Sequence, residues 1–324
     1  MFFTDEMLAS YSLPLSHTED TKCKNAIRMI ADALKMLNFT DDNAEVKPLY
    51  EDTLSYHLHL RSNDYSRSIK LFIQGSYANN TNVRTKSDVD VAIIQEEHFQ
   101  TKYRSDQNDS TFGFKIAAKP ELSFKDEIQR CLSLTFGPDV ERKNKSIKIN
   151  GNSYRKDADT VPCLRYRDYR YNYGTNGNIY IPGVVITPDK GPQIINYPEQ
   201  HIENGRKKNV ATNHHYKKMV RIMKKMRYLM HDSNNSLFKT AADAVNSFML
   251  ESLLWNIPDL WYIHYCGSYT KTQAFAQLIS QLQAIYDFTS YKEANGIKPL
   301  CADKIHEHNL KNYILQLSNF YEYA

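Results

Sequence analysis

The spacing of apolar residues separates the chain into a part with strand-like patterns and a part with helical patterns. Large aliphatic residues occupy every second position at 69–73 and again at 89–93, as they do in strands that bury one face. After residue 206 the apolar positions recur every three or four residues, which is typical of helices that face a core. The clearest example is a stripe of methionines, at Met219, Met223, Met226 and Met230. We therefore predict an α+β protein with a mixed sheet, N-terminal helices and a C-terminal helical lobe.

The same patterns locate the remaining elements. Helices are predicted at residues 18–39, 50–60 and 122–134 and, in the C-terminal part, from the cap Thr212-Asn213 onward and at 240–256, 272–286 and 309–321. The polar stretch 97–111 indicates a surface loop. Residues 144–161 predict a hairpin with Asn150-Gly151 in its turn. Basic residues flank the methionine stripe, and we expect most of them on a solvated face: Lys217, Lys218, Arg221, Lys224 and Lys225.

Composition restricts the class of protein without identifying it. With 41% hydrophobic and 24% charged residues among 324, the chain has the composition of a folded soluble protein. The net charge of +4 permits an anionic substrate but is mild for a nucleic-acid binder, so we expect no nucleic-acid substrate. The five cysteines form no paired motif, which favours a reducing cytoplasm over a disulfide framework or a zinc site. No segment has the pattern of a signal peptide or a membrane span, so we expect no membrane association.

Candidate chemistry is concentrated between residues 72 and 94. An apolar strand ends at Gly75-Ser76, a polar loop follows, and the next strand carries Asp88 and Asp90. Side chains two apart on a strand share a face, with Cα atoms about 7 Å apart. Because neighbouring carboxylates repel unless a cation lies between them, a divalent ion is expected, and Mg²⁺ binds carboxylates together with substrate phosphates. The glycine backbone allows a phosphate to approach closely.

This segment resembles the signature of the polymerase-β-like nucleotidyltransferase superfamily, in which Gly-Ser precedes Asp-x-Asp on a strand. The fuller string Q-G-S-Y-A-N-N-T-N-V-R-T-K-S-D-V-D is similar to that of the bacterial cGAS/DncV-like nucleotidyltransferases (CD-NTases), and in particular to the CdnE-like ones. Members of that family make cyclic di- or trinucleotide signals in anti-phage defence. The alternative is a hairpin whose solvated strand carries two aspartates without a catalytic role.

Two-metal catalysis requires a third carboxylate. Two ions about 3.5–4 Å apart serve the attacking hydroxyl and the triphosphate. The string D-T-V-P at Asp159 matches a D-V-V-P-like string of the family, whereas Asp157 points the same way without that match and stays an alternative. The resemblance thus implies that Asp88, Asp90 and Asp159 are the catalytic residues and also bind two Mg²⁺ ions, with Mn²⁺ as a substitute.

The resemblance also implies a set of nucleotide-binding residues, namely Gln74, Gly75, Ser76, Lys217, Ser247 and Phe248. Gly75 and Ser76 would hold the β- and γ-phosphates, and Lys217, in T-N-H-H-Y-K, would reach the phosphates as well. Ser247 and Phe248 match the family's S-[YF]-x-x-E helix, where the serine contacts phosphates and the aromatic ring stacks on a base. Surface exposure of Lys217 and ordinary core packing of Phe248 are the alternatives. The Tyr- and Arg-rich segment 164–198 either contacts bases or forms an exposed strand and loop.

The resemblance implies a catalytic domain with an N-terminal bridging helix at residues 1–205 and a C-terminal helical domain at 206–324 that completes an NTP-binding cleft. It further implies a monomeric enzyme that uses ATP and UTP or another NTP, and whose cyclic product is sensed by a downstream effector. One alternative is synthesis of a linear product, of the oligoadenylate or poly-A type. The other is a non-catalytic nucleotide- or RNA-binding module, against which the three intact aspartates and the mild charge argue.

Overall fold

The structure, a computed structural model, describes residues 3–14, 16–41, 47–48, 55–64, 66–83, 88–116 and 120–323. Internal contacts divide the chain into two compact units. The sheet unit comprises Ser16–Ala78 and Asp88–Glu199, and the helical unit comprises Met1–Leu15, Asn79–Ser87 and Gln200–Ala324. The predicted α+β class is confirmed, and the predicted domain boundary at residues 205/206 stays a prediction.

The sheet unit is built on a mixed sheet. Its described strands are β1 (Phe39–Asp41), β2 (Lys47–Pro48), β3 (Tyr56–Ser62), β4 (Ser68–Gln74), β5 (Val89–Lys102), β6 (Val140–Arg142), β7 (Ile147–Ile149), β8 (Ala158–Asp168), β9 (Ile181–Ile186) and β10 (Ile194–Asn196). The main order is β1-β3-β4-β5-β8-β7-β6, while β2 pairs with β3 and β9 lies between β8 and β10. The β5–β8 pair is parallel, and the other described pairs are antiparallel.

The described helices divide between the two units. They are α1 (Asp5–Tyr11), α2 (His17–Leu34), α3 (Gly75–Ala78), α4 (Asp109–Phe112), α5 (Phe124–Phe136), α6 (Pro198–Ala211), α7 (His215–His231), α8 (Ser236–Asp243), α9 (Ser247–Trp255), α10 (Asp259–Trp261), α11 (Lys271–Gln283) and α12 (Lys304–Tyr323). Short 3₁₀ turns span Lys35–Leu37 and Gly137–Asp139, and a π-helical turn spans Tyr262–Cys266. Among the described helices, none combines the length and apolarity that crossing a membrane requires.

The apolar face of the sheet is covered by helices. Helix α2 begins with a capping box, in which Ser16 and Glu19 satisfy each other's backbone N–H groups. It buries Ile27 and Ile30 and contacts β3, β4 and α5. The helical unit has its own core, in which all four methionines of the stripe are buried among residues of α1, α7–α9, α11 and α12. The predicted core role of that stripe is therefore confirmed.

Two predicted elements in the sheet unit are wrong. The predicted helix at 50–60 is strand β3 from Tyr56 onward, where Leu58 and Leu60 alternate inward, and residues 49–54 lie outside the described residues. The predicted loop at 97–111 continues as strand β5 to Lys102, which pairs with β8 after a register shift between Gln95 and Phe99. Polar residues are tolerated in this extension because that part of the strand is only half-buried.

Two predictions in the helical unit are also wrong. The helix predicted at 240–256 is divided into α8 and α9, because Asn246 caps a new helix by accepting a hydrogen bond from Met249 N at 2.8 Å. The predicted cap Thr212-Asn213 does not start α7. The residue that directly precedes it is His214, with φ of 62° and no side-chain cap of its own. The Thr212 hydroxyl donates back to Lys208 O at 2.8 Å, but it also accepts from Tyr216 N at 3.2 Å and so binds one free N–H of the first turn of α7.

Candidate active site

The turn from β4 into α3 brings backbone against a carboxylate. Gly75 has φ of +70°, a conformation that favours glycine, and a Cβ at this position would collide with Asp90 Oδ2. Ser76 follows as the second residue of α3 and is half-buried. The Gly-Ser pair therefore lies directly beside the second aspartate of the D-x-D string, within one unit.

Strand register places four polar side chains in a row across the sheet. Gln74 is opposite Asp90, Asp90 is opposite Asp159 on the parallel strand β8, and Asp159 is opposite Lys148 on β7. Directly paired residues point to the same face, and neighbouring strands lie about 4.8 Å apart. Two carboxylates that are 69 positions apart in the chain are thus immediate neighbours on one face, with an amide and an ammonium group on either side.

Lys148 links the acids at the start of these strands. Its Nζ lies 3.4 Å from Asp88 Oδ2 and 3.3 Å from Asp157 Oδ2. Partial burial opposes the charged form of the lysine, but the two carboxylates outweigh it and raise the pKa of Lys148. The pKa of Asp157 is lowered mainly by the hydrogen bond from the Gly151 N–H and, to a smaller extent, by Lys148. Several carboxylates therefore lie together on this face, and Lys148 provides a positive charge between two of them.

Asp159 has different partners from Asp88. Its Oδ1 accepts a hydrogen bond from Ser146 Oγ at 3.4 Å and lies 3.6 Å from Lys143 Nζ. Within the part of the chain that the structure describes, no three acidic, histidine or cysteine side chains are grouped closely enough to hold a metal ion. Asp88 and Asp159 are thus paired with different lysines, Lys148 and Lys143, while the backbone register places Asp159 beside Asp90.

The remaining predicted nucleotide-binding residues belong to the helical unit. Lys217 is buried, and its backbone N–H donates to Asn209 Oδ1 at 3.2 Å. Ser247 is the first residue of α9 and is half-buried, instead of lying in mid-helix. The Phe248 ring is 36% exposed and meets the His201 ring edge-on at 5.0 Å. The ring of Phe248 therefore lies partly at the surface of its unit, and not in the core as its alternative interpretation required.

The Tyr- and Arg-rich segment is largely structural in its first part. Arg165 is buried and forms a two-pronged ion pair with Glu96. The Arg167 guanidinium lies 3.7 Å from the centre of the Phe99 ring. Exposed tyrosines occur only further along, where Tyr171 and Tyr173 are 64% and 81% exposed. The first basic residues after Asp159 are therefore occupied by contacts within the protein.

Sequence reasoning missed a buried ionic group in the helical unit. Lys224 and Arg221, which we expected on a solvated face, are 2% and 5% exposed. Lys224 pairs with Glu251, which is 1% exposed and lies in the same helix as Ser247 and Phe248. A signal was present: a glutamate inside the otherwise apolar helix α9 must find a partner when it is buried. The sequence does not reveal which lysine provides it.

Comparison with known families agrees with this geometry. A nucleotidyltransferase domain matches residues 59–152, which include Asp88 and the part of strand β5 that carries Asp90. The C-terminal helical domain of cGAS/DncV-like nucleotidyltransferases matches residues 203–322. The mixed sheet and these two matches define a nucleotidyltransferase.

Known relatives extend over the full chain. The cyclic GMP-AMP synthase CdnE03 of Staphylococcus schleiferi is 43% identical over 327 residues, which cover 100% of this chain and 98% of the relative. The solved structure of the Elizabethkingia meningoseptica CdnE cyclic dinucleotide synthase with GTP and Apcpp has a TM-score of 0.70 and 28% identity, over 98% of each chain. The Rhodothermus marinus CdnE c-UMP-AMP synthase with Apcpp and Upnpp has a TM-score of 0.72 and 25% identity, over 98% of this chain and 97% of that one.

The chain belongs to the cGAS/DncV-like nucleotidyltransferases and, within that family, to the CdnE cyclic nucleotide synthases. The predicted family, fold and enzyme class are confirmed. The assignments of individual residues to metal, phosphate and base are predictions.

Proposed function

We propose that this enzyme joins two nucleoside triphosphates into a cyclic dinucleotide, with ATP and GTP as the pair to test first. The adjacent register of Asp90 and Asp159 beside the Gly75 turn is the observation that carries the proposal. The choice of bases is supported by the Staphylococcus schleiferi relative, which is named a cyclic GMP-AMP synthase. Other relatives are named for dipyrimidine, dipurine and UMP-AMP products, so UTP is the next substrate to test.

The carboxylate face provides a suitable donor set for Mg²⁺. In this proposal Asp88, Asp90 and Asp159 would hold two Mg²⁺ ions, or Mn²⁺ in their place, and the bound metal would supply positive charge for the triphosphate and for the acceptor hydroxyl as it loses its proton. The fit rests on oxygen-only side chains on one face and on the ammonium group of Lys148, which already compensates Asp88 and Asp157. Entry of a divalent ion would release Lys148 from that role.

The remaining residues position the substrate. Gly75 presents backbone to the β- and γ-phosphates without a side chain in the way, and Ser76 adds a hydroxyl. Asp159 orients the acceptor ribose hydroxyl and accepts its proton. The hydroxyl oxygen forms a bond to the α-phosphorus, the bond from that phosphorus to the bridging oxygen breaks, and pyrophosphate leaves. A second round, within the linear dinucleotide, closes the ring and releases a second pyrophosphate.

Lys217, Ser247 and Phe248 contribute from the helical unit. We assign Lys217 and Ser247 to phosphate contacts and Phe248 to stacking on a base, in keeping with its partly exposed ring. The cyclic product acts on an effector that senses it, as part of anti-phage signalling.

Product analysis with all four nucleotides tests the proposal. The protein is incubated with labelled ATP, GTP, CTP and UTP and Mg²⁺, singly and in pairs, and products are treated with phosphatase and analysed by mass spectrometry. A phosphatase-resistant dinucleotide with the mass of a ring is expected. A ladder of longer products would establish linear polymerisation instead, and unchanged NTPs together with RNA binding would establish a non-catalytic module.

Asp90→Asn is the matched inactive variant. It removes one carboxylate charge with almost no change in volume, so we expect no product and an unchanged unfolding temperature. Turnover near that of the parent protein would show that the metal assignment is wrong.

A further inference from the structure

A network of buried polar groups fastens the loop that precedes Asp88 inside the helical unit. The Thr81 hydroxyl donates to Glu251 Oε2 at 2.6 Å and accepts from Lys224 Nζ at 3.0 Å. Lys224 Nζ in turn lies 2.6 Å from the same Glu251 oxygen, which closes a triangle of three contacts. The exposed fraction is 0% for Thr81, 1% for Glu251 and 2% for Lys224.

The other carboxylate oxygen continues the network to a second residue of the loop. Glu251 Oε1 accepts from His201 Nε2 at 2.8 Å, and Asn79 Nδ2 lies 3.3 Å from His201 Nδ1. Arg221 adds a third attachment, because its guanidinium donates to the Asn80 carbonyl and, at 2.7 Å, to Ser12 O. Three consecutive loop residues are therefore held by buried side chains of helices α6, α7 and α9.

Close packing leaves little freedom at the start of this loop. A Cβ at Gly205, in α6, would come within 2.8 Å of Asn79 Oδ1. Asn79 and Asn82 are 0% and 1% exposed, although asparagine is usually a surface residue. A loop of this composition normally lies in solvent. In its buried position, side chains of the helices supply fixed partners for the Asn79 amide nitrogen, the Asn80 carbonyl and the Thr81 hydroxyl, whereas the Asn82 amide is buried without a hydrogen bond among the described residues.

Core stability does not explain why the charged side chains of Glu251 and Lys224 are buried here. A buried ion pair stabilises a fold no better than apolar residues of similar volume, whereas the loss of one partner leaves an uncompensated charge. Such a pair is useful where a definite position is required. The residues that it positions follow directly on the predicted phosphate-binding turn, because Ala78 alone separates Asn79 from the turn residues Gly75 to Tyr77.

We propose that Glu251 and Lys224 are positioning residues for nucleotidyl transfer, which hold the loop segment 79–83 through Thr81 and thereby fix the chain where it leaves the phosphate-binding turn at Gly75 and Ser76. The inference rests on the proposed function for its effect on catalysis, and its structural half stands independently. Neither residue contacts the reacting atoms in this scheme.

Thr81→Val tests the attachment with the smallest change. It keeps the shape of the side chain, removes the hydroxyl and leaves Lys224 paired with Glu251, so the variant is expected to fold. Thr81→Ser restores the hydroxyl and is the conservative rescue. Leu278→Ala, in the apolar core of the helical unit, supplies a control that loses stability without removing a group of the network.

Two readouts separate the parts of the proposal. Amide hydrogen exchange of the full chain, followed by mass spectrometry, is expected to be at least fivefold faster at residues 79–83 in Thr81→Val, and unchanged there in Thr81→Ser and Leu278→Ala. In the product assay, kcat is expected to fall at least tenfold in Thr81→Val and to stay within twofold in the two controls when all are assayed well below their unfolding temperatures.

Each contrary result has a definite meaning. Unchanged exchange at 79–83 in Thr81→Val would overturn the attachment itself. Faster exchange with parental kcat, or an equal loss of kcat in Leu278→Ala, would overturn the positioning role. A parent protein that yields no cyclic product refutes the proposed function instead, and the exchange measurement would still decide whether the loop is fastened by this network.

Discussion

At the scale of single residues, the candidate site depends on contacts between residues that are far apart in the sequence. Alternation on a strand was enough to predict that Asp88 and Asp90 share a face. The position of Asp159 beside Asp90 needed the parallel register, which no local pattern specifies. The partners of Glu251 were unpredictable for the same reason, since Lys224 is 27 positions away and Thr81 is 170.

Gly75 is where one atom is expected to matter most. In Gly75→Ala the alanine would have to keep a positive φ, which costs about 1–2 kcal/mol. Its methyl group would also collide with the Asp90 carboxylate. We expect product formation to fall about 100-fold or more, because a shift of roughly 1 Å at a reacting group has an effect of that size. Initial rates of cyclic product formation and the unfolding temperature are the measurements.

Gly113→Ala is the matched control for this prediction. Gly113 has φ of +69° and no atom within 4 Å of an added Cβ, so it suffers the same backbone strain without the collision. Equal loss of activity in both variants would mean that general strain, and not displacement of Asp90, explains the effect.

At the scale of elements, the sequence predicted those that are regular and local. Helix α5 and the antiparallel pair of β7 and β8 follow from apolar periodicity, and both are present. The tight turn predicted at Asn150-Gly151 is wrong, because residues 150–157 connect the two strands and Ile149 pairs with Ala158. Strand β3 and the extension of β5 beyond Gln95 were missed because their residues are polar or aromatic and are stabilised by pairing with distant strands. The division between α8 and α9 was missed because one asparagine cap outweighs continuous helical periodicity.

In the segment after β9, Asp189 forms ion pairs with Arg142 and Lys125, and the effect of its protonation on stability can be measured. Arg142 and then Lys125 lower the pKa of Asp189 to about 2, from 3.8. The unfolded acid titrates near 3.9, so the stabilisation is complete above that pH and is lost as the pH falls toward 2. We expect Asp189→Asn to cost about 1 kcal/mol at pH 7, after allowance for solvent screening, and almost nothing at pH 2.

Urea unfolding of parent and variant at pH 7 and at pH 2 measures that difference. Asp32→Asn, which removes an exposed acid paired with Lys35 one helical turn away, is expected to change stability by only a few tenths of a kcal/mol at either pH. A pH-independent cost for Asp189→Asn would show that the ion pair is not its cause.

At the scale of the whole molecule, the fold and the proposed chemistry separate cleanly. Among the described residues, the cores of the sheet unit and the helical unit are mainly apolar, and Lys224 and Glu251, which are buried in the helical unit, pair with each other. Removal of Mg²⁺ is therefore expected to stop product formation while the unfolding temperature changes little, in contrast to proteins whose folding depends on a structural metal. Product formation and thermal unfolding are measured before and after chelation.

Restoration of activity by added Mg²⁺ or Mn²⁺ completes that experiment. Activity that persists after exhaustive chelation would contradict the metal-dependent mechanism. A large drop in unfolding temperature on chelation would instead indicate a structural ion that this interpretation does not include.

The register that places Asp159 beside Asp90 determines how destabilising substitutions would affect the activity of this enzyme. A ladder cannot slip by one residue without turning every side chain to the opposite face, so the acid pair is either formed with its full geometry or absent with the strand. Destabilising substitutions elsewhere in the sheet should then reduce the number of folded, active enzyme molecules and leave the turnover rate of each folded molecule unchanged. Inherited variation in such positions would act like a change in gene dosage, adjusting signal strength without altering the signal.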